Sequence, residues 1–205
     1  MELSKSAERT IEELTKLGII VENLGAELKL LLYGVKPAAI VTMHTKTVQV
    51  FMKHYPSITR PGLNQAGSVI IFKDADVMSC YTEDAHVIEH PKTGEKMFRI
   101  HSRLLGIFMG YPPSACEWFT SRPIQEALKH NHNVDNEECC FIYYHGIQFA
   151  THKDLVKENI EWLRAHRPVP EAAKDFASIQ VPYYVDQTGK VTRKVVAFDD
   201  YLKNY

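Results

Sequence analysis

The chain has 205 residues, of which 45% are hydrophobic and 24% are charged. This length favours one domain, and the composition is ordinary for a globular protein, which excludes a disordered or collagen-like chain. The 24 Lys and Arg residues are balanced by 25 Asp and Glu residues, for a net charge of −1. We therefore expect no nucleic-acid partner and no electrostatic binding to an anionic membrane.

The N-terminal residues and the cysteines bear on the compartment. Met1–Arg9 is rich in Glu and Lys and lacks the apolar run of a signal peptide. No apolar stretch of the sequence reaches the roughly 18 to 20 residues that span a bilayer. The four cysteines lack the dense spacing of a disulfide-stapled domain, so we expect free thiols and a cytoplasmic location.

Apolar periodicity organises the first third of the chain. In the first 32 residues, apolar side chains recur at spacings of three and four, which predicts two helices separated near Gly18. The run Ala38–Met43 predicts a buried strand, and Thr45 is placed to cap a helix that ends near Tyr55. A further apolar run, Ser68–Phe72, completes the order expected of a crossover unit, which joins parallel strands.

The middle of the chain has the clearest local pattern. Two extended runs, His86–His90 and Glu95–Ile100, flank a tetrad of turn-forming residues and predict a β-hairpin. A four-residue loop would place Glu89 opposite Lys96 in this hairpin. Ser102 is then placed to cap a short helix that ends before a glycine.

The second half repeats both kinds of element. Cys139–Phe149 is dense in aromatic and β-branched residues and contains a glycine, which predicts one bent strand or two strands around a tight turn. Thr151 is placed to cap a helix that ends near Arg167. Two extended runs, Ile179–Val185 and Lys190–Phe198, predict a second hairpin.

Together these elements predict an α/β or α+β fold. We expect a mixed sheet with helices packed on it, an N-terminal helical pair and two β-hairpins. Residues 1–205 are expected to form a single domain, and the alternative is that residues 171–205 form an appended C-terminal hairpin. The polar tract Asn131–Glu138 is expected to be an exposed loop.

Histidines supply candidate metal ligands. The spelling His86-x-x-Glu89-His90 matches the motif of inverted zinc proteases, in which the three side chains lie on one helical face. In a strand, Glu89 faces away from both histidines, so the protease interpretation lacks its context. Because His101 lies just beyond the same hairpin, convergence of His86, His90 and His101 on a transition metal is one hypothesis, and ordinary surface histidines are the alternative.

Cys116 is a candidate nucleophile. It falls in the first turn of a predicted short helix, where the helix dipole and free N–H groups favour a thiolate. His101 or His145 would act as its base if the fold places one of them beside it. The alternative is a small buried thiol that packs the helix against the core.

Aromatic and basic side chains indicate a ligand pocket. Tyr111, Arg103 and Tyr143 are candidate ligand-binding residues for a cleft between the sheet and the Ser102–Phe119 helices. Packing of the aromatic side chains in a core sheet is the alternative. The sequence contains neither a P-loop nor a dinucleotide-binding fingerprint, so it supports neither of these kinds of nucleotide site.

Two blocks resemble a known family. Gly34–Ala38 and Gly106–Pro112 are similar, in order and rough separation, to the G-I-K-P-A and G-I-F-L-G-Y-P blocks of family 3793 of the bacterial domains of unknown function. That family usually has a histidine and a glutamate just before its second block, whereas this chain has Arg103–Leu105 there. The resemblance implies a cytoplasmic α/β protein and implies no activity.

Three hypotheses of function follow from the sequence. The first is a non-enzymatic protein that binds a small ligand or a transition metal in the cleft. The second is a cysteine/histidine enzyme with Cys116 as its nucleophile. The third is an interaction module that uses the Asn131–Glu138 loop or a dimer face, which leaves a homo-oligomer open.

Overall fold

A computed structural model gives the architecture of most of the chain. It describes residues 2–59, 67–89, 94, 96–121, 138–185, 187 and 191–204. In these residues helices and strands are mixed, and the strands pair antiparallel in three sheets. The prediction of an α/β or α+β fold is confirmed. Most of the Asn131–Glu138 tract, which is expected to be an exposed loop, lies outside the described residues.

The chain divides into two compact units. The first comprises Met1–Gly110 and Val169–Ala173, and the second comprises Tyr111–Pro168 and Lys174–Tyr205. The expectation of a single domain over residues 1–205 stays a prediction. Within the described ranges, none of the helices combines the length and the apolar character needed to cross a bilayer.

The first unit contains five α-helices and five strands among its described residues. Helices α1 to α5 are, in chain order, Lys5–Lys16, Ala26–Leu32, Lys46–His54, Ala75–Asp84 and Ser102–Phe108. Strands β1 to β5 are Ala38–Thr42, Ser57–Ile58, Ser68–Phe72, His86–Glu89 and Lys96–Arg99. They form one sheet of order β1-β3-β2 and one of order β4-β5.

Local signals set several helix ends in this unit. The Thr45 hydroxyl accepts a hydrogen bond from the Val48 backbone N–H at 3.2 Å, which confirms its predicted capping role. Helix α1 ends at Lys16, and Gly18 follows with a φ of +71°, a conformation that glycine adopts without steric cost. The predicted N-terminal helical pair is confirmed as α1 and α2.

The three-stranded sheet is buried on both faces. Val69 and Ile71 of β3 belong to an apolar cluster that also contains Leu14 of α1 and Phe51 of α3. On the opposite face the ring of Phe72 lies 5.2 Å from that of Tyr81 in α4. Burial on both faces explains why β3 is an uninterrupted apolar run rather than an alternating one.

The expectation of a crossover between β1 and β3 is wrong. Ala39 pairs with Ile71 in an antiparallel register, and Ser57 of β2 also pairs with Ile71 from the other side. Strands β1 and β2 therefore run in the same direction with β3 between them. Helix α3 connects these two strands, and β2 has only two residues, too few for a pattern in the sequence to reveal it.

The hairpin β4–β5 has the predicted register. Glu89 pairs with Lys96 and Val87 pairs with Phe98. The helix that follows begins one residue earlier than predicted. Ser102 is its first residue, and the cap is His101, whose Nδ1 accepts a hydrogen bond from the Arg103 backbone N–H at 3.3 Å.

The second unit is built around a four-stranded sheet. Its helices α6 to α8 are Pro113–Phe119, Val156–His166 and Phe198–Asn204. Its strands β6 to β9 are Cys139–Tyr144, Ile147–His152, Ala177–Val185 and Val191–Ala197. The sheet order is β7-β6-β8-β9, and every neighbouring pair is antiparallel.

Both predicted strand pairs of this unit are present. The Cys139–Phe149 run forms two strands around a tight turn, in which His145 and Gly146 have φ values of 52° and 108°. The predicted second hairpin is β8–β9, with Ile179 paired to Val196. Because β8 also pairs with β6, the tail residues complete the central sheet of this unit.

A buried ion pair joins α2 to the segment before β1. The Lys36 ammonium, with 1% of its side chain exposed, contacts the Glu27 carboxylate, which is 39% exposed. Burial lowers the pKa of Lys36, and the nearby Glu27 partly opposes that lowering. The Glu27 carboxylate compensates this charge, since an unpaired buried charge is strongly unfavourable.

Removing the Glu27 carboxylate should destabilise the fold. We expect Glu27→Gln to lower the free energy of unfolding by about 2 to 4 kcal/mol at neutral pH, because the Lys36 charge stays buried without its counter-ion. Chemical denaturation of the two proteins measures the difference. Glu22→Gln, a change at an exposed glutamate of the same segment, is the matched control and should be nearly neutral.

The difference in stability between the parent protein and Glu27→Gln should become smaller as the pH rises. Since the folded pKa of Lys36 is below 10.5, the unfolded chain binds this proton more tightly, and the pair contributes an unfolding free energy that rises with pH up to about 10.5. The rise should be larger in Glu27→Gln, because the Glu27 carboxylate no longer opposes the lowering of the Lys36 pKa by burial. A gap between the two proteins that widens with pH would contradict this account.

Candidate functional site

The structure distributes the predicted site residues over both units. His86, His101 and Arg103 lie in the first unit, and Tyr111, Cys116, Tyr143 and His145 lie in the second. His90 lies outside the described residues. Each group is therefore considered within its own unit.

The predicted metal ligands are surface residues where they are described. His86 is exposed on β4, and His101 is exposed at the start of α5 with its Nδ1 engaged by the Arg103 backbone N–H. In the part of the chain that the structure describes, no group of three His, Cys, Asp or Glu side chains is placed to hold a metal ion. Because His90 is outside that part, the site of His86, His90 and His101 stays a prediction.

Cys116, the predicted nucleophile, and His145, one of its predicted bases, lie in different surroundings. Cys116 is buried in α6. His145 lies in the β6–β7 turn, where its backbone N–H donates to the Phe176 carbonyl and its Nδ1 lies 2.6 Å from the Asp175 carbonyl oxygen. These contacts tie the turn to the segment that leads into β8, which gives His145 a clear structural role.

The predicted ligand-binding aromatics make packing contacts. The Tyr111 ring lies 5.4 Å from that of Phe149, and the Tyr143 ring lies 5.9 Å from that of Phe176. Both distances are typical of stacked or tilted aromatic pairs in a protein interior. Their observed contacts match the alternative of core and surface packing.

A cavity of about 500 Å³ opens in the second unit, and none of these predicted residues belongs to its described lining. Its described lining combines apolar and polar side chains from β6, β8, α8 and the turn that leads into α7. The lining residues are Cys140, Lys153, Asp154, Lys157, Val181, Pro182 and Tyr201. None of them was predicted as a site residue from the sequence.

The floor of the cavity is formed by the central strands. Phe141 pairs with Gln180, and extending this register by one pair places Cys140 opposite Val181. Paired residues of antiparallel strands project from the same face, so these two side chains lie side by side. Pro182, the next residue of β8, also lines the cavity, and it is less buried than Cys140 or Val181.

The rim of the cavity is polar. Lys153 and Asp154 belong to the 3-10 turn Lys153–Leu155, and Lys157 lies in the first turn of α7. The Tyr201 hydroxyl lies 3.5 Å from the Lys153 carbonyl oxygen, a long contact that brings α8 to this turn. The turn, α7 and α8 thus meet at one edge of the sheet.

The charged side chains on the rim differ in whether an oppositely charged side chain lies nearby. The Lys153 ammonium lies 3.9 Å from the Glu138 carboxylate, and the Asp154 carboxylate lies 3.4 Å from Nδ1 of His152. Within the described residues, the Lys157 ammonium makes no ion pair or hydrogen bond. Lys157 therefore contributes a positive charge that its protein neighbours do not neutralise.

The thiol on the floor is unreactive as a nucleophile. Burial raises the pKa of Cys140 to about 11, the neighbouring Cys139 adds to this rise, and the positive charges of Arg193 and Lys153 only partly oppose it. A thiolate is the reactive form of cysteine, and almost none is present at neutral pH with this pKa. Cys140 is only 1% exposed, so it forms part of the cavity wall and offers a ligand almost no surface.

A chain of buried hydrogen bonds fixes the helix that carries Lys157. The Ser114 hydroxyl donates to Oδ1 of Asn159 at 2.7 Å, and Nδ2 of Asn159 donates to the Thr151 hydroxyl oxygen at 2.7 Å. Asn159 and Thr151 are fully buried. The prediction that Thr151 caps the helix is wrong, because Thr151 lies in β7 and its hydroxyl is used by this network.

Comparison with known proteins identifies no relative. No family model, curated protein or solved structure matches the chain. The fold therefore defines only a broad class, an α/β protein with a ligand-sized cavity in its second unit. The resemblance to family 3793 stays a prediction from the two sequence blocks.

Two of the cavity-lining residues, which were not predicted as site residues, show a local pattern in the sequence. Lys153 and Lys157 are four positions apart at the start of a helix, a spacing that places side chains on one face. Such a pair is common on solvated helices, so the spacing alone does not indicate a site. Val181 and Tyr201 join it only through the pairing of β8 with β6 and the position of α8.

Disrupting the buried network should loosen the second unit. We expect Asn159→Ala to lower the free energy of unfolding by about 2 to 3 kcal/mol, because it leaves the buried hydroxyl of Thr151 and the partly buried hydroxyl of Ser114 without their amide partner. Glu158→Ala, at the exposed neighbouring position of α7, is the control. Chemical denaturation, monitored by a signal from the second unit, measures the free energy of unfolding of both variants. Equal stability of the two variants would contradict a structural role for the network.

The cysteines should differ sharply in reactivity. Cys80 is exposed, whereas Cys116, Cys139 and Cys140 are buried. We expect iodoacetamide to modify one thiol rapidly in the folded protein at neutral pH, and peptide mass spectrometry to assign it to Cys80. A Cys80→Ser variant should then be inert until it is unfolded. Fast modification of Cys116 would instead support the cysteine-enzyme hypothesis.

Proposed function

We propose that this chain binds a small molecule, without covalent chemistry, in the cavity of its second unit. The observation that carries the proposal is the cavity itself, about 500 Å³ in volume with an apolar floor and a polar rim. Sites for small molecules typically have volumes of roughly 300 to 1,000 Å³ and combine these two kinds of surface. The floor would supply most of the buried contact and the rim would set the orientation of the ligand.

Binding is favoured over cysteine chemistry by the state of the cavity thiol. Cys140 stays protonated at neutral pH because of its burial. Of the described lining residues, none is a histidine that would act as its base. The described residues thus provide surface and charge rather than an activated nucleophile.

A small molecule is favoured over a transition metal at this position. The described lining offers one carboxylate and one protonated thiol beside two ammonium groups. A divalent cation would be repelled by Lys153 and Lys157, and a single carboxylate is too few ligands to compensate. The metal form of the hypothesis therefore has no support in this cavity.

We propose a cytoplasmic location for the protein, because of the state of its cysteines. All four cysteines are free, and Cys80 is exposed to solvent. Exposed and unpaired thiols persist in a reducing compartment and are oxidised outside it.

An uncharged fluorescent probe tests whether the cavity takes up a ligand. We expect phenylnaphthylamine to bind the untagged protein with a stoichiometry near one and with increased fluorescence. Val181→Trp should weaken this binding at least about tenfold, because the indole fills space above the floor. Val195→Trp, at a position of β9 that is 62% exposed, is the matched control and should leave binding unchanged.

A second filling variant guards against a folding defect. Pro182→Trp changes the partly buried rim of the same cavity, and near-ultraviolet circular dichroism reports whether each variant keeps its packed structure. Absence of probe binding to the parent protein, or equal binding by the parent and both filling variants, would overturn the proposed function.

A further inference from the structure

The charges around the cavity carry information about the ligand. Lys153 and Lys157 face the same volume, and the Asp154 carboxylate is the negative charge among the described lining residues. Asp154 is 75% exposed and directed toward His152, and its charge is therefore largely screened by water. Lys153 also lies 3.9 Å from the Glu138 carboxylate, so the uncompensated positive charge of the described rim is that of Lys157.

The two lysines are not equivalent. Lys153 has Glu138 within 3.9 Å, and its backbone carbonyl contacts the Tyr201 hydroxyl, so its position is set by the protein. Lys157 has no such partner in the described part of the chain, and its ammonium keeps three donors for a ligand. The buried Asn159 network two residues further along α7 holds the backbone from which Lys157 projects.

The floor requires more than a bare ion. An inorganic anion at Lys157 would leave the apolar part of the cavity lining, to which the partly buried Pro182 contributes, uncovered. A molecule that has both an apolar part and an anionic group satisfies both surfaces, since burial of apolar area and a charge-assisted hydrogen bond act together. This combination matches the division of the cavity into floor and rim.

We infer that the ligand is a small molecule with an anionic group, a phosphate or a carboxylate, that binds Lys157 while its apolar part covers Val181 and Pro182. The inference rests on the proposed function and adds the chemical class of the ligand. In this arrangement Lys157 is the residue that selects an anion, and Lys153 supplies a second positive charge along the same rim.

A pair of probes with the same aromatic body separates the two proposals. Anilinonaphthalene sulfonate carries an anionic group, whereas phenylnaphthylamine is uncharged. We expect Lys157→Gln to raise the Kd of the sulfonate about tenfold, the effect of one lost hydrogen bond to a charged group, and to leave the Kd of the uncharged probe unchanged. Lys157→Glu should weaken the sulfonate further through repulsion.

The matched control is Lys203→Gln, a change at an exposed lysine of α8 outside the described lining. It should leave the Kd of both probes unchanged. Because Lys157 is exposed, its substitution should not affect folding, and circular dichroism verifies this for each variant.

Competition identifies the anionic group. Phenyl phosphate and benzoate, which share an aromatic ring and differ in their anionic group, are titrated separately against the bound sulfonate at constant ionic strength, and the tighter competitor names the class. Equal sulfonate binding by the parent protein and Lys157→Gln, or displacement by neither anion, would overturn the inference. Binding of the uncharged probe decides the proposed function separately, so the failure of one proposal is distinguishable from that of the other.

Discussion

The hydrogen-bond chain of Ser114, Asn159 and Thr151 is the constraint on which the second unit depends. One amide side chain links a residue of α6 to a strand, and the amide itself belongs to α7. Helix packing by apolar contacts alone permits sliding and rotation, whereas a buried network with every group satisfied selects one arrangement. The orientation of α7 on the sheet, and with it the position of Lys157 at the cavity rim, follows from this network.

In the first unit, a buried charge is compensated by an ion pair rather than by a network of neutral hydrogen bonds. Its most buried charge, Lys36, is neutralised by Glu27, and that carboxylate remains partly in water. An arrangement of this kind limits the desolvation cost to one partner of the pair. It also leaves the ammonium without access to a ligand, so this charge stabilises structure, whereas the exposed charge of Lys157 is available for binding.

Local signals predicted much of the structure, although the local capping pattern at Thr151 was wrong. The register of Glu89 with Lys96 followed from a turn and two extended runs, and the Thr45 cap followed from one hydroxyl before a helix. The direction of β3 was not predictable, because it depends on β2, a strand of two residues. The cavity was missed for a related reason, since Cys140 and Tyr201 lie far apart in sequence and meet only through sheet pairing and the docking of α8.

The pairing of β6 with β8 has a consequence for how the cavity comes into existence. Phe141 and Gln180 are joined by a connection that contains β7 and all of α7, so closing it costs more entropy than closing either hairpin. The floor is created by this non-local pairing, and neither hairpin contains all of it. A ligand that binds there recognises only the folded form, so its binding free energy adds to the stability of this unit and slows its turnover by proteases that act on opened chains.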